Sequence, residues 1–185
     1  MFESRSIPLF PAAGAFALRF APLWPLSLAS ARLTSTLARR HPTLFARLGP
    51  QASKAFLIDP TDLPFVLLLR PSPRRPDLRA LRRESAVKWN ARIAGPLAAL
   101  IGLVHGAYDG DALFFSRDLV IEGDTEAVVA LRNAIDNEEL DLVREATAAL
   151  GPLEALAAAP AHRLAAAIAA VTHAPLTRAE TRPFE

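Results

Sequence analysis

The 185-residue sequence contains no cysteine. Disulfide bonds, thiolate nucleophiles and cysteine metal sites are therefore excluded together, and the absence fits a reducing compartment such as the cytoplasm. Glycine is also sparse, and its eight residues form neither a glycine-rich phosphate cradle nor a dinucleotide-binding fingerprint. These absences argue against redox chemistry by the chain itself and against a nucleotide cofactor.

The sequence also lacks a recognisable set of catalytic or metal-binding residues. Its four histidines do not have a metal-ligand spacing with one another. Two close carboxylate pairs are explained by a turn and by a helix cap. We therefore expect a binding protein with no catalytic residue, no metal and no cofactor. An enzymatic alternative would use the hydroxyl of Ser116 with Arg117 and Asp118 beside it.

No apolar stretch is both long enough and continuous enough to cross a membrane. Ile7 to Leu33 is very apolar, but Arg19 lies in its middle and four prolines interrupt it, whereas a transmembrane helix needs about 20 predominantly apolar residues. We predict instead that residues 1–25 form a proline-rich arm that docks on a membrane or a partner. Aromatic and arginine side chains suit the boundary between headgroups and acyl chains. The predicted docking residues of the arm are Phe16, Arg19, Phe20 and Trp24. The alternative is an arm that packs on its own domain.

The charges are strongly polarised along the chain. Residues 1–83 carry 13 Lys/Arg against 4 Asp/Glu, and residues 84–185 carry 8 against 15. This asymmetry suggests that the front half meets an anionic surface. The densest positive segment is 71–83, which is predicted to start as an exposed basic loop that could grip phosphate headgroups, before Leu78 and Leu81 lead back into the fold. Its headgroup-binding candidates are Arg74, Arg75 and Arg79. A solvated loop is the alternative, and nucleic acid is disfavoured because no aromatic residue lies between the arginines to stack on bases.

The pattern of apolar residues predicts an α+β domain over residues 26–150, followed by an alanine-rich helical tail at 151–185. Predicted helices cover 26–40, the segment from Gly95-Pro96 to Gly106, 125–139 and 142–150. Asp124 or Thr125 can cap the helix at 125–139, whose Val128, Leu131 and Ile135 are expected to point inward. Predicted strands cover 55–58 and 63–69, joined by a turn that begins at Asp59-Pro60, and 87–93, while 112–122 is a strand pair or one bent strand. The helices are expected to cover one face of a mostly antiparallel sheet.

Two stretches carry a resemblance to a known family. Residues 111–126, DALFFSRDLVIEGDTE, and residues 56–65, FLIDPTDLPF, resemble the accessory factors of anaerobic ubiquinone biosynthesis. These factors are a bacterial branch of the sterol carrier protein type-two superfamily. The apolar arm is similar to their N-terminal extension, and the tail beyond Leu150 departs from them.

The resemblance implies a twisted five-stranded sheet with helices on one face, enclosing a hydrophobic tunnel. It implies a lipid carrier that holds polyprenylated quinone precursors or phospholipid. The implied partners are iron–sulfur hydroxylases of the U32 peptidase-like type and the inner membrane surface, with a cytoplasmic, peripherally membrane-associated location. The alternative is a structural subunit of such a complex that holds no lipid.

Apolar lining suffices for such a tunnel, because burial of apolar surface needs no directed hydrogen bonds. Each candidate is also explicable as ordinary core. The predicted lipid-contacting residues are Phe56, Phe65, Leu67, Trp89, Ile93, Leu97, Leu100, Ile101, Phe114, Phe115 and Ile121.

Overall fold

The architecture comes from a computed structural model, which describes residues 7–73, 75–104, 117–138 and Glu145. Within this part of the chain, the helices span Ala12–Leu18 (α1), Trp24–Arg40 (α2), Pro42–Arg47 (α3), Leu97–Val104 (α4) and Thr125–Asp136 (α5). A 3₁₀ helix spans Gly49–Ser53. The strands span Phe56–Pro60 (β1), Phe65–Arg70 (β2), Asp77–Arg82 (β3), Ala91–Gly95 (β4) and Val120–Gly123 (β5).

The strands form one sheet in the order β3-β2-β1-β4-β5. β1 and β4 are parallel and the other three pairs are antiparallel, so the predicted mostly antiparallel five-stranded sheet is confirmed. The register places Ile58 opposite Ile93, and Ile93 opposite Ile121. Since directly paired residues point to the same side of a sheet, these isoleucines share one face.

That face is covered by helices. Phe56, fully buried, and Ile93 pack in one cluster with residues of α3, α4 and α5. The buried helical members of the cluster are Leu44, Phe45, Ala99, Leu100, Ala127, Val128, Leu131 and Ala134. Helices therefore cover one face of the sheet, as the sequence predicted.

Helix α2 covers the edge of the sheet. The Ser27 hydroxyl donates to the Ala80 carbonyl at 3.1 Å and accepts from the Ala80 amide at 3.2 Å, which satisfies backbone groups of the edge strand β3. Helix α2 begins two residues earlier than predicted, because Pro25 is accommodated in its first turn. No helix in the described part of the chain is long and apolar enough to cross a membrane.

Residues 71–73, 75 and 76 lie outside the sheet, in agreement with the predicted loop, but 77–82 form strand β3, where no strand was predicted. Residues 77–82 pair with β2 over six positions, and the Arg82 and Arg83 side chains donate hydrogen bonds to other parts of the protein. Arg82 donates to the carbonyls of Leu18 at 3.1 Å and Ala21 at 2.5 Å. These contacts and the long-range strand pairing leave fewer arginines available for an external phosphate than the sequence suggested.

The opposite face of the sheet carries a buried charge. Asp59 is 2% exposed and accepts hydrogen bonds from Arg83 Nη1 at 2.5 Å and from Arg92 Nη2 at 2.6 Å. Arg92 Nη1 also donates to Glu122 at 2.7 Å. Hydrogen bonds to Glu122 and Asp59 raise the pKa of the Arg92 guanidinium. This network joins β1, β4, β5 and the segment after β3.

The strand predicted at 87–93 begins later than expected, at Ala91. The Asn90 side-chain oxygen accepts from the Ala55 amide at 2.8 Å, and the Asn90 amide donates to the Ala55 carbonyl at 2.8 Å. Asn90 thereby ties the start of β4 to the residue before β1, and residues 86–89 lie outside the sheet. Trp89 was predicted to lie on the same strand as Ile93, but it lies outside the sheet and so does not face the covering helices from that strand.

Candidate functional site

An apolar cavity of about 340 Å³ lies between the β4–β5 edge of the sheet and helix α5. Ile93 and Ile121 contribute its floor on the sheet, and Leu103 of α4 contributes one wall. The other described lining residues are Leu119, Thr125, Val128, Val129, Leu131, Arg132, Ile135 and Asp136. The volume falls within the range of about 300–1,000 Å³ typical of small-molecule sites.

Helix α5 contributes both inward-facing and exposed apolar residues to the cavity wall. Val128, Leu131 and Ile135 follow helical spacing and point toward the sheet, as the sequence predicted. Val129 lies beside this stripe, lines the cavity and is 56% exposed. The exposed side of α5 therefore marks the mouth of the cavity.

The start of α5 is fixed by a short turn. Gly123 has φ +81°, and a Cβ there would lie 2.3 Å from the Asn90 carbonyl oxygen, so only glycine fits. The next residue, Asp124, is one of the two predicted capping residues, and it caps the helix by accepting from the Ala127 amide at 3.0 Å. Lys54 Nζ lies 2.9 Å from the same carboxylate. The hydrogen bond from Lys54, followed by that from Ala127, lowers the pKa of Asp124.

The other end of α5 is tied to the α2–α3 junction. Glu138 lies 3.1 Å from His41 Nδ1 and accepts from the Thr43 hydroxyl. The Thr43 hydrogen bond is the main cause that lowers the pKa of Glu138. The other ring nitrogen of His41, Nε2, lies 3.2 Å from the buried Glu145 carboxylate. The cavity wall is thus held at both ends by polar contacts rather than by apolar packing alone.

Two charged groups of α5 stand among the apolar lining. Arg132 Nε lies 3.5 Å from Asp136 Oδ2, one helical turn away, with both side chains partly exposed. Thr125 lies near the start of the same helix and is exposed. An apolar chamber with a few polar groups at its rim suits an amphiphile whose tail enters and whose head remains near water.

The cap gives a testable pH dependence. Because the folded-state pKa of Asp124 lies below its ordinary value of 3.8, its carboxylate stabilises α5 above that value and loses this contribution as the pH falls through the folded-state pKa. We expect Asp124→Asn, which keeps a capping oxygen but not the charge, to flatten the acid limb of the unfolding profile below about pH 4. Thermal unfolding followed by circular dichroism between pH 2.5 and 7 measures this. An unchanged acid limb would contradict the assignment, and Asp136→Asn is the matched control on the exposed end of α5.

The structure separates the predicted lipid-contacting residues into several groups. Ile93 and Ile121 line the cavity. Phe56 and Leu100 lie in the adjoining core cluster. Phe65 is buried and Leu67 half-buried on β2, while Leu97 and Ile101 are half-buried on α4; these four are absent from the described lining. Trp89 is 36% exposed outside the sheet, and Phe114 and Phe115 lie outside the described residues.

The predicted docking residues also fall into separate places. Phe16, Arg19, Phe20 and Trp24 are exposed on α1, just after it and at the start of α2. Arg75 is exposed, and Arg79 Nε pairs with Asp77 at 2.7 Å. Arg74 lies outside the described residues. The helix predicted at 142–150, apart from Glu145, and the tail at 151–185 also lie outside them.

Sequence reasoning did not assign the α5 side of the cavity. Val128, Leu131 and Ile135 were predicted to point inward, but as core rather than as cavity wall. Helical periodicity does not place Val129 and Arg132 on the inward face of α5, because each lies beside the row formed by Val128, Leu131 and Ile135. The residues that the structure describes contain no group of three His, Cys, Asp or Glu side chains that could hold a metal ion.

Comparisons with known proteins show which family and which solved structures this chain resembles. Residues 35–136, just over half of the chain, match the model of the SCP-2 sterol transfer family. No curated protein gives a significant match. Among solved structures, the "UbiJ-SCP2 Ubiquinone synthesis protein" is similar at 22% identity and a TM-score of 0.51, over 63% of this chain and 94% of that one.

Sterol carrier protein 2 from Yarrowia lipolytica, in its apo form, is similar at 11% identity and a TM-score of 0.45, over 64% of this chain and 95% of that one. The family match spans α2 from Ser35 through the whole sheet to the end of α5, and so includes all of the described cavity lining. The chain belongs to the SCP-2 sterol transfer family.

Proposed function

We propose that the protein is a lipid carrier that holds the apolar tail of an amphiphile in the cavity between α5 and the β4–β5 edge of the sheet. The observation that carries this proposal is the cavity itself: eight of its eleven described lining residues are aliphatic, the exposed side of α5 marks its mouth, and the three polar residues of the described lining all lie on α5. Burial of a tail stabilises the complex by about 25 cal/mol per Å² of apolar surface removed from water.

The bound amphiphile proposed here is a polyprenylated precursor of ubiquinone, with phospholipid as the competing occupant. Two observations support the choice of pathway. Residues 111–126 resemble accessory factors of anaerobic ubiquinone biosynthesis, and the structure similar at a TM-score of 0.51 is described as a ubiquinone synthesis protein. The protein acts in the cytoplasm at the inner membrane surface and presents the ring to iron–sulfur U32-type hydroxylases, without making or breaking a bond itself.

A cavity-filling substitution tests the carrier role. Val129→Trp places an indole in the mouth at a position that is already 56% exposed, so the fold can accommodate it. Leu100→Asp is a poorer probe, because Leu100 is 8% exposed in the core and a buried charge there would unfold the domain. We expect Val129→Trp to lower the amount of lipid that co-purifies with the full-length protein by about tenfold or more, equivalent to about 1.4 kcal/mol.

The measurement is extraction and mass spectrometry of lipid from protein purified from its native host. Val120→Trp is the matched control: Val120 is an exposed valine, 47% accessible, one residue from Ile121 and thus on the opposite face of the sheet. Recovery of a prenylated phenol or quinone from wild type and Val120→Trp, but not from Val129→Trp, supports the proposal. Lipid-free wild type, or equal lipid in all three, rejects it and favours a structural subunit of a biosynthetic complex.

A further inference from the structure

Within the residues that the structure describes, the exposed large apolar side chains are concentrated near the N-terminal end. Five of the eight large hydrophobic residues that are exposed in the described part of the chain lie between residues 9 and 28. The arm surface, as we name this group, consists of Leu9, Phe16, Phe20, Trp24 and Leu28, exposed by 65, 61, 76, 70 and 47%. Such a concentration is typical of an interaction site, whereas single exposed apolar residues need no explanation.

The side chains of the arm surface are spaced to act together. Phe16 and Phe20 are one helical turn apart, with ring centroids 5.4 Å apart and an interplanar angle of 73°. Trp24 and Leu28 are likewise one turn apart in α2 and therefore lie on one side of that helix. Helix α1 has no buried residue, so its apolar side chains contribute little to the core of the domain.

The backbone of the arm is nevertheless fastened to the domain. The Phe10 amide donates to Asp62 Oδ2 at 2.8 Å, and the Arg82 guanidinium donates to the Leu18 and Ala21 carbonyls. Further along, Ser27 bonds the backbone of β3. The arm thus meets its own domain through these polar contacts and through Ile7, which packs against the core cluster, but it leaves Phe16, Phe20 and Trp24 exposed. A segment serving only to pack on the domain would bury such side chains.

The charge of this part of the chain selects the partner. Residues 7–58 contain six Lys/Arg and no Asp or Glu. Arg19 is exposed between Phe16 and Phe20, and Arg32 is exposed one turn beyond Leu28. Exposed aromatic and aliphatic side chains interspersed with arginine, without any acid, complement an interface of acyl chains below anionic headgroups.

We propose that the arm surface inserts into the interfacial region of a bilayer that contains anionic phospholipid, with Phe16, Phe20 and Trp24 as the inserting side chains and Arg19 at the headgroups. This inference deepens the membrane location in the proposed function by naming the surface and the lipid class. It does not depend on which molecule occupies the cavity. The fastening of the arm by Asp62 and Arg82 then fixes the orientation of the lipid-binding domain on the membrane.

Vesicle flotation of the full-length protein tests the proposal. We expect binding to vesicles of phosphatidylcholine and phosphatidylglycerol at 7:3, weaker binding to phosphatidylcholine alone, and a decrease as salt is raised. The triple variant Phe16→Ser, Phe20→Ser, Trp24→Ser should bind at least about tenfold more weakly with an unchanged unfolding temperature, because all three side chains are exposed. Val120→Ser, at an exposed apolar position away from the arm, should bind like wild type.

A fluorescence measurement reports insertion directly. The sequence has two tryptophans, Trp24 and Trp89, so Trp89→Phe leaves Trp24 as the sole reporter. Its emission should shift to shorter wavelength on addition of the anionic vesicles. Wild type that does not float, a triple variant that floats equally, or a Trp24 spectrum that does not move would each overturn the proposal. Self-association that the triple variant abolishes, without vesicle binding, would assign the arm surface to a second copy of the chain.

The same experiments separate this inference from the carrier role. Val129→Trp should float as wild type does while losing its co-purified lipid, and the triple variant should keep its lipid while losing flotation. Loss of both properties in the triple variant at unchanged stability would contradict the independence of the two surfaces and overturn the inference as stated.

Discussion

Replacement of Asp59 by alanine is expected to lower the free energy of unfolding by about 3 kcal/mol or more. The Asp59 side chain is 3% exposed, and it is the shared acceptor for the guanidinium groups of Arg83 and Arg92. Without it, both cations remain at a partly buried site with much less compensation. Arg83 also donates to the carbonyls of Pro60, the last residue of β1, and Leu63, at 2.8 Å each, so its displacement would loosen the β1–β2 connection.

Urea unfolding of the full-length protein at neutral pH measures the effect, with Glu122→Gln as the control. Glu122 accepts from the same Arg92 but its side chain is 45% exposed, and an exposed ion pair contributes about 0–1 kcal/mol. We expect the control to remain within about 1 kcal/mol of wild type. A cost below 1 kcal/mol for Asp59→Ala would show that water or rearranged side chains replace the carboxylate.

The role of Asp59 illustrates what the sequence could and could not predict. Asp59-Pro60 was predicted to bound a strand and begin a turn, which follows from local residue preferences. The pairing with Arg83 and Arg92 spans 24 and 33 residues, and no local pattern indicates it. The same limit explains why strand β3 at 77–82 was not predicted: a segment rich in arginine and proline indicates a loop unless the pairing of β3 with β2 is known.

The candidate site shows a related limit. Periodicity correctly predicted that Val128, Leu131 and Ile135 face inward, because amphipathic spacing depends only on the helix itself. Whether an inward face meets packed side chains or an open cavity depends on how two distant elements fit together. The cavity arises where α5 stands over the β4–β5 edge, with Gly123 and Asp124 fixing its start and Glu138 fixing the end.

Five of the eleven predicted lipid contacts are aromatic: Phe56, Phe65, Trp89, Phe114 and Phe115. In the structure eight of the eleven described lining residues of the cavity are aliphatic, three are polar and none is aromatic. Phe56 is fully buried at the centre of the sheet, and Trp89 is displaced from the sheet by the contacts of Asn90. Size and hydrophobicity therefore indicate burial, but they do not distinguish the packed centre of a sheet from its open edge.

Phe56→Ala is expected to destabilise the lipid-free protein by about 3–5 kcal/mol. Phe56 is 0% exposed and packs against residues from β4 and the covering helices, so truncation leaves a cavity that the surrounding elements cannot close. Urea unfolding of protein stripped of lipid measures this cost. Ile58→Ala on the same strand face is the comparison: Ile58 is only half-buried at the margin of the cluster and should cost less.

The result decides the role of Phe56, because packing and lipid contact predict different dependence on ligand. A core residue stabilises the lipid-free protein, so Phe56→Ala should lower the free energy of unfolding by about the same amount with and without bound lipid. If Phe56 is instead a lipid contact, Phe56→Ala should change the free energy of unfolding of the lipid-free protein little. The variant should then be stabilised less by added lipid than wild type is, because stabilisation by a ligand depends on the logarithm of its concentration divided by Kd. If Phe56→Ala lowers the free energy of unfolding of the lipid-free protein by less than about 1 kcal/mol, Phe56 is a lipid contact, and the lipid site extends from β4 to β1.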